Sequence, residues 1–169
     1  MKKILVLFLF MYTLSFSITD FENLRWNDKV FDIMLAYPGV HKEESFYNGI
    51  EIYVLDNPEN MVASYKFFLI DGSLYKVQVN FDPEQVDTTS KIRDIYNNIT
   101  DKFGNPIDKN PISETLISTK VTGNSQTFKA DRETLVFFKG IDTLDLDGNM
   151  INSELLLEYR NMARVNVYP

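Results

Sequence analysis

The chain has 169 residues, with 17 Lys and Arg against 24 Asp and Glu, a formal net charge of −7, no Cys and a single His. Hydrophobic residues make up 44% and charged residues 24%, which fits one folded domain and excludes general disorder, a disulfide scaffold and a Cys-ligated metal domain. The acidic balance also argues against a nucleic-acid-binding domain, whose phosphate contacts need surplus Lys and Arg.

The chain opens with Lys2 and Lys3, an almost unbroken apolar run from Ile4 to Phe16, and small residues at Ser15 and Ser17. This is the pattern of a secretory signal peptide over residues 1–17, cut before Ile18. The run is too short to cross about 30 Å of hydrocarbon, which takes roughly 20 residues. No Cys stands at the cut to accept a lipid, so the expected mature chain has neither a transmembrane segment nor a lipid anchor. Cleavage removes two lysines and no acid, which makes the mature chain more acidic still. The expected location is periplasmic or secreted.

Residues 18–169 are expected to form one domain, with no Gly/Ser-rich or Pro-rich linker. Asn27 is placed to cap a helix through Ala36, with Val30, Phe31, Met34 and Leu35 on one face and Pro38-Gly39 as its stop. Strand patterns follow at Gly49 to Asp56, Met61 to Ile70 and Ser73 to Phe81. Asp71-Gly72 is the strongest hairpin signal in the chain. In the third strand Tyr75, Val77, Val79 and Phe81 alternate with Leu74, Lys76, Gln78 and Asn80, as in an antiparallel sheet with one wet face. A second helix is expected from Asp82, with Pro83 in its first turn, a stripe of Ile92, Ile95, Tyr96, Ile99 and Phe103, and Gly104 as its end. Strands are then expected at Thr115 to Thr122 and Ser125 to Ala130, around a Gly123-Asn124 turn, and at Thr134 to Phe138 and Ser153 to Arg160.

These elements define an α+β fold, an antiparallel sheet with two helices packed on one face. Each helix is followed by a run of strands, which suggests two similar half-units, 18–81 and 82–169.

Two local patterns carry a resemblance. One is Leu24-Arg25-Trp26-Asn27-Asp28-Lys29-Val30. The other runs from Tyr65-Lys66-Phe67-Phe68-Leu69-Ile70-Asp71-Gly72-Ser73-Leu74-Tyr75 to Phe103-Gly104-Asn105-Pro106. Together they resemble the helix start, the hairpin and the helix stop of the superfamily that joins β-lactamase-inhibitor-protein-like domains and the small outer-membrane-assembly lipoproteins. The resemblance covers Leu24 to Pro106 and implies an exported helix-and-sheet module that binds other proteins without catalysis. Asn27 stands where that pattern has Gly, and the lipid-accepting Cys is missing.

Few residues suggest chemistry. His41, followed by Lys42, Glu43 and Glu44, could act as a general base oriented by a carboxylate, or could be a surface loop residue. The Asp142 to Asn149 segment aligns with a calcium loop, with Asp145, Asp147, Gly148 and Glu154 at the third, fifth, sixth and twelfth positions and Thr143 at the first. An acidic turn between strands explains the same residues. No Gly-rich phosphate loop, dinucleotide fingerprint or nucleophile elbow occurs, and no cofactor is expected. Aromatic residues make up 14% of the chain. Tyr47, Tyr53, Phe67, Phe68 and Tyr75 are the candidates for a protein-binding patch on the sheet. The expected function is a non-catalytic binding or scaffold module of the bacterial envelope with a protein partner. The alternatives are an inhibitor of a secreted or periplasmic enzyme and a hydrolase with a carboxylate mechanism.

Overall fold

A computed structural model describes residues 17–45 and 48–164. Apart from Ser17, the expected signal peptide lies outside the described residues, as does Tyr47. Strands β1 (Ser17–Ile18) and β2 (Phe21–Arg25) form a small hairpin. Helix α1 (Val30–Ala36) follows, then β3 (His41–Glu43), β4 (Ile50–Glu59), β5 (Val62–Ile70) and β6 (Ser73–Phe81). Helix α2 (Thr89–Phe103) leads into β7 (Asp108–Thr115), β8 (Thr119–Lys129), β9 (Thr134–Asp145) and β10 (Met150–Asn161). A single 3-10 turn, Met162–Arg164, ends the described chain.

The last eight strands form one antiparallel sheet in the order β3-β4-β5-β6-β10-β9-β8-β7. Each helix is thus followed by a four-stranded meander, and the two meanders join through their final strands, β6 and β10. The expectation of a balanced α+β fold is corrected by this architecture. Strands hold 55% of the structure and helices 17%, so the sheet dominates. The shift comes from segments whose composition hides their strands. Strand β7 reads Asp-Lys-Asn-Pro-Ile-Ser-Glu-Thr, a loop-like sequence that is tolerated because an edge strand can carry Pro and charge. Gly123-Asn124 is no turn. Strand β8 runs straight through it, and a Cβ at Gly123 would stand 2.0 Å from the Gly140 carbonyl oxygen of β9. Glycine is needed there for close backbone approach.

One face of the sheet carries the main core. Phe67, Leu69, Val77, Val136 and Phe128 pack there with Ile33 of α1, Ile95 and Ile99 of α2, and Phe21, Leu24 and Trp26 from the β2 segment. Both helices therefore cover this first face. Tyr96 of α2 lies 6.4 Å from the Phe128 ring and 6.1 Å from that of Phe138. Two buried polar groups of this core find partners: Trp26 Nε1 donates to Thr134 Oγ1 at 3.0 Å, and the Tyr159 hydroxyl donates to Asp20, which also pairs with Lys102.

Both helices start later than the sequence suggests. Asn27 adopts φ +73°, and α1 begins after Lys29, whose amide donates to Asp32 at 2.9 Å. Helix α2 begins after Thr88, whose hydroxyl accepts from the Lys91 amide. Asp82 and Gln85 instead close a separate turn against Met61. The apolar stripe read on α1 is also corrected. Ile33 is its buried residue, whereas Phe31, Met34 and Leu35 face solvent. The Asp71-Gly72 hairpin joins β5 to β6 as read, with φ of +50° and +65°.

Candidate functional site

Strand alternation sends every second residue of the central strands to the second face, opposite the helices. Strand β6 contributes Lys76, Gln78 and Asn80, β10 contributes Leu156, Glu158 and Arg160, and β9 contributes Leu135, Phe137 and Lys139. The pairing sets Lys76 opposite Arg160, and Glu158 between Gln78 and Phe137. Glu158 is 4% exposed, and its Oε2 accepts from Lys139 Nζ at 2.9 Å and from Arg160 Nε and Nη2 at 2.9 and 2.6 Å. Toward the β3 edge, Lys66 pairs with Glu43 at 2.8 Å.

The cations rest on aromatic rings. Lys76 Nζ lies 3.7 Å from the Phe68 ring centroid, the Arg160 guanidinium 5.0 Å from that of Phe137, and Lys139 Nζ 5.7 Å from the same ring. Among the described residues no carboxylate lies within ion-pair distance of Lys76 Nζ. Burial, aided by Arg160 and Lys139 and opposed by Glu158, pushes the Lys76 ammonium down to about 8. Burial also disfavours the Glu158 carboxylate, but the surrounding Lys76, Arg160 and Lys139 cations outweigh it. Glu158 is held below its usual range. The result is a partly dry cationic patch centred on one carboxylate, in a chain that is acidic overall.

Beside this cluster lies an apolar one, formed by Ile50, Ile52 and Val54 of β4, Phe68 and Ile70 of β5, and Tyr75 of β6. Tyr75 arrives there through a break in register between Phe68 and Leu69 of β5, opposite Leu74 to Lys76. The break reverses the expected alternation at this end of β6. Leu74 joins the main core with Val77, and Tyr75 joins the second face with Lys76.

The sequence-based candidates thus separate. Phe68 and Tyr75 lie on the second face. Phe67 and Tyr53 belong to the core under the helices, and Phe67 has no exposed surface at all. None of these four side chains is an exposed anchor, since Phe68 and Tyr75, at 8% and 5% exposed, are as buried as Tyr53 at 6%. The calcium candidates do not converge. Asp145 accepts from the amide and the side chain of Asn149, both at 2.8 Å, and these bonds hold its carboxyl below the usual range. Glu154 accepts from Asn152 at 2.9 Å. Among the described residues no group of three His, Asp or Glu is placed to hold a metal ion. His41 sits on edge strand β3 rather than in a loop, mostly exposed and 3.9 Å from Asp56.

Lys76, Lys139, Glu158 and Arg160 were not among those candidates. Their signal was a charge placed at every second position within otherwise apolar strands, most plainly Leu-Leu-Leu-Glu-Tyr-Arg in β10. Glu158 and Arg160, two apart on one strand, had to share a face. No helix among the described residues is long and apolar enough to cross a membrane. Comparison of the chain with protein-family models, curated proteins and solved structures returned no match.

Proposed function

We propose that this chain is an exported, non-catalytic module of the bacterial envelope that binds a protein partner through the second face of its sheet. One observation carries the reading. The helices occupy only the first face, while the second sets charged residues and aromatic rings side by side on the central strands. Recognition surfaces combine such features, with aromatic and Arg side chains at their centre and polar groups around them. The motif resemblance to β-lactamase-inhibitor-protein-like domains supports the same reading, and the signal-peptide pattern supports a periplasmic or secreted site of action.

The test uses the mature chain with a photo-crosslinking side chain at Ser125, on the second face of β8, or at Asn97, on the exposed side of α2. Incubation with envelope extract is expected to give a discrete protein adduct from Ser125 and none from Asn97. Adducts from Asn97 alone would move the binding surface to the helices. Turnover of a polysaccharide by the mature chain, with no adduct from either position, would replace the binding reading with a hydrolytic one.

A further inference from the structure

Strand β10 has a partner on each side over only part of its length. Among the described residues, 156–160 pair with both β6 and β9, whereas 150–155 pair with β9 alone. The cause lies at the end of β6. Past Phe81 the chain turns toward β5, where the Asp82 amide donates to the Met61 carbonyl at 2.9 Å, and the line of β6 stops there. Residues 150–154 are accordingly exposed. A register break between Met150 and Asn152 leaves residues 152–155 as the straight part of this open edge. The two outer edges of the sheet are blunted by comparison. Strand β3 has only three residues, and β7 carries Pro111. The Leu116 amide donates to Thr119, so alternation along β7 turns the Pro111 nitrogen outward, where an incoming strand needs an amide. Residues 152–155 contain no Pro, Lys or Arg to guard them.

A cleft lies on each side of this edge. The one on the helix side holds about 600 Å³, with Phe81, Pro83, Ile92 and Leu155 among its walls. The one on the second face holds about 270 Å³ and reaches Ala63, Ser64 and Asn80. Phe81, Pro83, Ser153, Glu154 and Leu155 line both, so the clefts meet along the gap between the end of β6 and β10. The larger cleft is lined by Asp87, Asp142 and Glu154 and by no Lys or Arg. Asp87 is paired with Lys91. Asp142 accepts from Ser153 at 2.7 Å and Glu154 from Asn152 at 2.9 Å, and no cation pairs with either among the described residues.

We propose that residues 152–155 take up an extended segment of a partner protein as an added strand, with a Lys or Arg of that segment in the larger cleft, directed at Asp142 and Glu154. An added strand sends alternate side chains to the two faces, and so into the two clefts. Its backbone satisfies the open ladder, which only a polypeptide can do, and this sets aside lipid and nucleic acid. A second copy offering the same edge would bring Asp142 and Glu154 against their own likes. A basic side chain instead lays its stem along Ile92 and Leu155 and gives its charge to the two carboxylates. This edge is distinct from the second-face surface, and neither reading depends on the other.

The probe is a phage-displayed library of short random peptides, panned on the immobilised mature chain at pH 7 and about 0.15 M salt. The most enriched peptide is then synthesised for titration. The expected consensus contains Lys or Arg. At saturation the peptide should slow hydrogen exchange about tenfold at the outward amides within residues 152–155, read residue by residue by NMR, and leave β7 unchanged. N-methylating the alternate peptide residues that face β10 should weaken binding about tenfold, while methylating the other set should not. Asp142→Asn, which keeps an acceptor for Ser153, and Glu154→Gln should each weaken binding about tenfold, the weight of one charge-assisted hydrogen bond. Asp94→Asn makes the same charge change at an exposed position of α2 and should leave binding as it is.

Equal losses from Asp94→Asn and Asp142→Asn would trace the attraction to the overall acidity of the chain and overturn the site. So would a consensus without Lys or Arg, the absence of any enriched peptide, or binding that tolerates methylation of both sets. Protection of residues 152–155 that rises with protein concentration in the absence of peptide would make a second copy the occupant and overturn the partner segment. None of these results touches the second-face reading, which the Ser125 adduct decides alone.

Discussion

On the helix side of the sheet, Phe67, Leu69, Val77, Phe128 and Val136 are wholly shielded from water. On the other side, neighbouring positions of the same strands carry Lys66, Lys76, Lys139, Glu158 and Arg160. The first face is held together by apolar burial, which needs no particular geometry beyond close packing. The second depends on an ion cluster whose attraction and desolvation largely cancel, so it adds little net stability while fixing where charge sits. The fold thus draws apolar burial from the first face and from the Ile50, Ile52, Val54, Phe68, Ile70 and Tyr75 cluster of the second, beside which the ion cluster lies. That division can be broken by substitutions on each side.

The largest effect is expected on the helix side. Phe128→Ala removes a side chain with no exposed surface, which touches Tyr96 of α2 from below. It should cost about 3–5 kcal/mol in a urea unfolding titration. Phe103, which closes α2, is only partly buried against the core, and Phe103→Ala should cost about half as much. Equal losses at the two positions would show that the α2 end, rather than its middle, anchors the helix.

Glu158→Gln strikes the second face. The variant keeps the shape but removes the buried charge that Lys139 and Arg160 share. A loss of about 3 kcal/mol at pH 7 is expected. The acid limb should change as well. The folded carboxyl of Glu158 lies below its unfolded value because the three cations outweigh burial. Its contribution is present above the ordinary carboxylate range, near 4.3, and is lost as pH falls through the lower folded value. Stability of Glu158→Gln should thus fall less steeply on acidification than that of the wild type. A parallel acid limb would show that Glu158 is not the group that titrates there.

The two faces were unequally legible. The β5–β6 hairpin could be read because Asp71-Gly72 names its turn and Tyr65, Phe67 and Leu69 alternate cleanly. The middle of α2 could be read because Ile95 and Ile99 are one turn apart and Gly104 ends it. Strand β7 could not, because an edge strand protects itself with the Pro and charged residues that also mark loops. The Gly123 strand reads as a turn in the sequence because a glycine required for close approach looks the same as one required for a positive φ. The outward face of α1 reads as buried in the sequence because Phe31, Met34 and Leu35 keep helical spacing whether or not anything covers them. The ion cluster was hidden for a different reason. Its members come from β6, β9 and β10, and only strand order brings Lys76, Lys139 and Glu158 together. The register break at Tyr75 shows the limit most sharply, since one extra residue exchanges the faces of Leu74 and Tyr75 and no local pattern announces it.

The smallest effect on stability is expected at Lys76. Burial pushes Lys76 from the ordinary lysine value of 10.5 down to about 8. Between those two values the unfolded chain holds a proton that the folded chain has released, so stability rises with pH across that window. Below about pH 8 both states are protonated, and the full penalty for burying the cation is present. Lys76→Met keeps the long apolar stem over Phe68 and removes the charge. It should leave stability at pH 7 equal to or about 1 kcal/mol above that of the wild type. It should also abolish the rise between pH 8 and 10.5, read from chemical unfolding at a series of pH values. A variant as stable as the wild type at pH 7 would show that the ammonium does not help hold the sheet together. If Lys76→Met instead loses several kcal/mol, the ammonium is part of what holds the sheet together, and the second face cannot be treated as a surface set aside for a partner.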